Sequence, residues 1–64
     1  MKRADLERYL NDRECLFFRH GGNHDIWMHR VTRLTTSMPR HREIKFTTVR
    51  AICKQLGVEP PQGK

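Results

Sequence analysis

The chain has no apolar run near the roughly 20 residues that a membrane-spanning helix needs. Its hydrophobic residues, 36% of the whole, are interleaved with charges, so no membrane partner is expected. It has little cysteine: Cys15 and Cys53 are too few and too widely separated for a zinc ribbon, and in a reducing compartment such residues are apolar fillers. Histidines 20, 24, 29 and 41 follow no helix-borne or knuckle-like ligand spacing, so neither a metal nor another cofactor is expected. The opening Met1-Lys2-Arg3-Ala4-Asp5-Leu6-Glu7 lacks the apolar core of a signal peptide, which makes the cytoplasm the expected compartment. Acidic residues are scarce as well. Lys and Arg outnumber Asp and Glu by 13 to 7, a formal charge of +6, which points to a polyanion or an acidic protein as partner.

Sixty-four residues allow one domain, residues 1–64, and a chain of this size buries only about 60% of the surface its unfolded form exposes. The core must be thin and any site shallow. Leu6 and Leu10, four apart with Tyr9 beside them, predict a helix from about Arg3 to Arg13, released by the turn formers Asn11-Asp12. Cys15-Leu16-Phe17-Phe18 is too short for a helix and reads as a first strand. His24-Asp25-Ile26-Trp27-Met28-His29 reads as a second, with His24, Ile26 and Met28 on one face and Asp25, Trp27 and His29 on the other. The pattern does not decide which face meets the helices.

Leu34, Thr36 and Met38 alternate with Thr35 and Ser37 as a third strand, ended by Pro39. Residues Pro39 to Lys45, with Arg40, His41 and Arg42, read as a basic surface loop. Val49, Ile52, Cys53 and Leu56 then fall at i, i+3, i+4 and i+7, with Thr47 or Thr48 as N-cap and Gly57 as stop. Residues 59–64, with two prolines and a glycine, are expected to be a flexible tail. The expected fold is therefore α+β, in the order α-β-β-β-α. A three-stranded antiparallel sheet carries both helices on one face, the arrangement of a double-stranded-RNA-binding domain (dsRBD).

Gly21-Gly22-Asn23-His24 is the stretch on which function turns. Adjacent glycines permit a tight turn and close approach of a ligand, and the histidine follows at once. RNA carries its own nucleophile, the 2′-hydroxyl, so its cleavage needs proton transfer and charge stabilisation but no metal. An imidazole titrating near 6.5 in model peptides suits either proton transfer. His24 is the candidate, with Arg40, Arg42, Lys45 and Arg19 as the nearest cations for the phosphorane. Trp27 reads as a core or partner-facing residue, and His20 and His29 as ordinary exposed strand residues.

Gly22-Asn23-His24, Met38-Pro39-Arg40-His41 and the closing Ala51-Ile52-Cys53-Lys54-Gln55-Leu56-Gly57-Val58 stand in an order and spacing that resemble the HicA toxins, small ribonucleases of bacterial toxin–antitoxin pairs. The resemblance implies a dsRBD-like fold and messenger RNA as substrate. It also implies one catalytic histidine, carried over to His24, and neutralisation by a HicB-type antitoxin. Gly22, Asn23, Arg40, His41, Arg42 and Lys45 are the residues expected to meet RNA phosphate. A non-catalytic dsRBD-like RNA-binding module is the alternative. A helix-turn-helix DNA binder is disfavoured because only six residues follow Val58, where a recognition helix would have to stand.

Overall fold

The computed structural model describes residues 1–61. The remaining residues of the expected tail, 62–64, lie outside the described residues. The elements run α1 (Arg3–Asn11), β1 (Cys15–His20), β2 (His24–His29), β3 (Thr35–Pro39) and α2 (Phe46–Leu56). The strands form one antiparallel sheet in the order β1-β2-β3, so the α+β architecture and element order expected from the sequence are present.

One face of the sheet is buried and the other is open. Cys15, Trp27, Thr36 and Met38 point to the buried face, where Leu6 and Leu10 of α1 and Val49, Ile52, Cys53 and Leu56 of α2 complete a single core. Both helices therefore share that face. Full burial of each Leu-sized side chain contributes roughly 1.5–3 kcal/mol. Trp27, at 4% exposure, belongs to this core, which removes it as a surface on which a base could stack.

Several boundaries differ from the sequence reading, each for a local reason. Helix α1 ends at Asn11 rather than Arg13, because Asn11 Nδ2 donates to the Cys15 carbonyl (2.9 Å) and Glu14 takes φ 69°, which turns the chain into β1. Helix α2 starts at Phe46. Its N-cap is Lys45, with no side-chain bond, so Thr47 and Thr48 fall inside the first turn instead of capping it. The far end is as expected: Gly57 sits at φ 75°, Gly57 N–H donates to Lys54 and Val58 N–H to Cys53, a Schellman closure. Leu34 precedes β3 and is exposed.

The basic loop after β3 is tied down more firmly than a surface loop. Ile44 is 2% exposed within the core, Ile44 N–H donates to the Met1 carbonyl and Arg3 N–H to Arg42, both at 2.8 Å. The start of α1 and the 40–44 segment are thus paired through their backbones. Thr36 Oγ1 donates to Gln55 Oε1 (2.6 Å), joining β3 to α2. Tyr9 Oη donates to the Glu59 carbonyl (2.7 Å).

Candidate active site

The β1–β2 turn is held from both sides. Gly21 N–H donates to the His24 carbonyl at 2.7 Å, which closes the turn and starts β2 at His24. Neither Gly21 nor Gly22 adopts the left-handed conformation that only glycine takes easily. Gly21 is needed for closeness instead, since a Cβ there would lie 3.1 Å from the His24 carbonyl oxygen. At Gly22 a Cβ would meet nothing within 4 Å, so that position is sterically open.

His24 lies on the open face of the sheet. It alternates with the buried Asp25 and Trp27, and it pairs with Pro39 of β3. Its imidazole is exposed and has no hydrogen-bond partner among the described residues. Two other histidines are engaged: His20 Nδ1 lies 3.0 Å from Asp25 Oδ1, and His29 Nδ1 accepts the Val31 and Thr32 N–H groups of the β2–β3 turn. His20 and His29, read as ordinary strand residues, are thus structural ligands of their turns.

Beneath the turn, on the helix face, Asp25 forms a hub. Its Oδ1 accepts from His20 Nδ1 and from Arg40 Nε (2.9 Å), and its Oδ2 from an Arg3 guanidinium nitrogen. The hydrogen bond from His20, then that from Arg40, then that from Arg3 hold the Asp25 carboxyl well below the usual carboxylate range, against the opposing effect of burial. Three chain segments converge on one nearly buried carboxylate. The sequence reading missed this hub; its one visible sign was that Asp25 alternates onto the same face as Trp27.

Arg40 is the residue that ties hub to turn. Besides Asp25, its Nη2 donates to the carbonyls of Gly21 (3.1 Å) and His24 (3.3 Å). A planar guanidinium with several fixed donors fits this three-point arrangement, which a lysine ammonium cannot reproduce. The structure therefore brings Arg40 to the His24 backbone and not to its imidazole, which points away on the other face of the sheet.

The remaining expected RNA-contacting residues divide by location. Asn23 is exposed at the turn. His41 and Arg42 are exposed and line an open groove of about 650 Å³ with Lys2, Arg3, Arg40 and Glu7. In it Arg3 is engaged by Glu7 (3.1 Å) and Asp25, whereas Lys2, His41 and Arg42 make no ion pair among the described residues. Lys45 is exposed at the start of α2 and does not line the groove.

Cys15 and Cys53 are both fully buried free thiols. Burial, first of all, pushes both above the ordinary thiol value, which keeps them protonated and poor nucleophiles. Among the described residues no three His, Cys, Asp or Glu side chains are placed to hold a metal ion, and no helix is long and apolar enough to cross a membrane.

A small α+β fold with an open three-stranded sheet, a basic surface and a histidine presented at a braced hairpin turn is the class these observations define. A family model described as "HicA toxin of bacterial toxin-antitoxin" matches residues 3–58, a span that takes in all five elements. The chain belongs to the HicA toxin family, and is the toxin of a toxin–antitoxin pair with an antitoxin as its partner. No curated protein and no solved structure matches it significantly.

Proposed function

We propose that this toxin is a metal-independent endoribonuclease that cleaves messenger RNA with His24 as its proton-transfer group, and that a HicB-type antitoxin inhibits it. The observation that carries the reading is the state of the His24 imidazole: exposed, without a partner, and mounted on a strand whose turn is braced by Arg40. Of the other histidines, two are engaged by their own turns and His41 sits on the loop beyond β3. A rigid element positions a reacting group better than a loop.

In the reaction the imidazole takes the proton of the 2′-hydroxyl, and the 2′-oxygen attacks the adjacent phosphorus. The bond from phosphorus to the 5′-oxygen breaks, that oxygen takes a proton from water, and the imidazolium returns its proton to the hydroxide so formed. The products are a 2′,3′-cyclic phosphate and a 5′-hydroxyl, with no change in oxidation state. The Gly22-Asn23 turn and the exposed His41, Arg42 and Lys45 contact flanking phosphates, and Arg40 acts as a positioning residue for the turn.

The test is cleavage of messenger RNA in EDTA by the wild-type chain and by His24→Ala. Loss of positioned acid–base catalysis lowers the rate by roughly 100- to 10,000-fold, with the fold intact because the side chain is exposed and makes no hydrogen bond among the described residues. Equal cutting by both proteins overturns the assignment.

A further inference from the structure

The first strand carries one irregularity, and it decides which side chains face His24. Pairing runs Cys15↔His29, Leu16↔Met28 and Phe17↔Trp27, then shifts so that Arg19 pairs with Ile26 and His20 with Asp25. Phe18 is the extra residue of a β-bulge. In a regular strand, successive side chains alternate between the two faces, so Arg19 would share the helix face with Phe17, and His20 would share the open face with Leu16.

The bulge reverses that parity, as such insertions do when they re-aim a side chain. His20 turns to the buried face and reaches Asp25, and its ring centroid lies 5.0 Å from that of Phe17 on the same side. Arg19 turns to the open face with Ile26, and therefore with His24. Since Gly21 N–H bonds to the His24 carbonyl, Arg19 is the diagonal cross-strand neighbour of His24, a separation of about 7–8 Å. That gap suits one phosphate group contacted from both sides.

Nothing else competes for this guanidinium. Its only hydrogen bond among the described residues is a long one of 3.4 Å to the neighbouring His20 carbonyl, and it pairs with no carboxylate. Arg40, in contrast, is engaged below the sheet by Asp25 and two carbonyls. We infer that Arg19 is a second catalytic residue, aimed by the Phe18 bulge to hold the phosphate oxygens of RNA while His24 moves the proton. The inference rests on the ribonuclease reading above and names the cation that completes that site. It assigns the phosphorane charge to Arg19 rather than to Arg40.

Kinetics of Arg19→Ala and Arg19→Lys on an oligoribonucleotide test it, beside His24→Ala and a charge control, Arg33→Gly, at the opposite end of the sheet. Removing a donor aimed at transition-state charge lowers kcat by about 100- to 1,000-fold, and the loss falls on kcat more than on KM. Lysine restores part of it, because it supplies charge without the fork. Circular dichroism and thermal melting of Arg19→Ala should match the wild type. An Arg19→Ala protein within threefold of wild type, or no slower than Arg33→Gly, while His24→Ala is inactive, overturns the Arg19 assignment alone. If wild type and His24→Ala cut alike, the His24 reading falls and the Arg19 inference falls with it.

Discussion

Replacing Arg40 by lysine separates two roles that an arginine near a histidine can have. If Arg40 contacts substrate phosphate, a lysine keeps the charge and part of the activity. If it braces the turn, charge is not enough, because Arg40 reaches Asp25 through Nε and the carbonyls of Gly21 and His24 through Nη2, two nitrogens of a rigid fork that lysine replaces with one point charge on a flexible stem. The two carbonyl bonds, at 3.1 and 3.3 Å from a side chain 41% exposed, are partly replaced by water on mutation. They contribute about 1–2 kcal/mol together. In a domain this small, about 1 kcal/mol shifts Tm by roughly 4–8 °C, so a drop of about 4–16 °C is expected for Arg40→Lys, and at least as much for Arg40→Ala. The turn it braces carries His24, and a displacement of about 1 Å in a reacting group costs up to roughly 100-fold in rate. Differential scanning fluorimetry and RNA cleavage on the same preparations check both numbers. An Arg40→Lys protein that melts and cuts like wild type refutes the bracing role. One that melts lower yet keeps full cleavage shows that His24 does not depend on the brace.

Two further outcomes follow from the same contacts. Asp25 has its folded pKa lowered by hydrogen bonds from His20, Arg40 and Arg3, whereas the unfolded chain titrates near 3.9; its contribution is thus present above about pH 4 and is lost as pH falls through the lower folded value. Asp25→Asn should therefore melt lower at neutral pH and show a flatter loss of Tm between about pH 4 and pH 2, and an unchanged acid dependence would contradict the hub. Gly57→Ala places a Cβ at φ 75° and 3.0 Å from Leu34 Cδ1, so a loss of about 1–2 kcal/mol is expected by urea unfolding, and a variant as stable as wild type would refute the steric argument.

Periodicity exposed the framework because burial here follows regular spacing. Leu6 and Leu10, the Val49-Ile52-Cys53-Leu56 face and the alternation of Thr36 and Met38 each obey the period of their element, and all of them are buried. The irregular features were not legible. Phe18 sits in a run of apolar residues, so its bulge leaves no mark in the pattern, and the parity of Arg19 and His20 reads the wrong way without it. Ile44 lies among charged residues, yet its side chain joins the core while its backbone pairs with Met1. The start of α2 went astray because Lys45 stands at its N-cap with no side-chain bond, so no capping residue marks it. His24 was legible as a candidate through its place after two glycines, although the glycine that matters is Gly21, for closeness and not for an unusual φ.

The sheet has a division of labour between its two faces that follows from strand alternation. Consecutive residues of β2 point opposite ways, so His24 on the open face and Asp25 on the buried face are joined by one peptide bond. Anything that fixes Asp25 fixes His24 without occupying its imidazole. The three donors on Asp25 come from α1, the end of β1 and the loop after β3, so the hub locks the turn to much of the remaining fold. Placed on the open face instead, a carboxylate would stand with Arg19 and compete for its guanidinium. Burying the acid behind the sheet keeps Arg19 and the His24 imidazole, both on the open face, clear of that carboxylate, and it ties the turn that carries His24 to α1 and to the loop after β3.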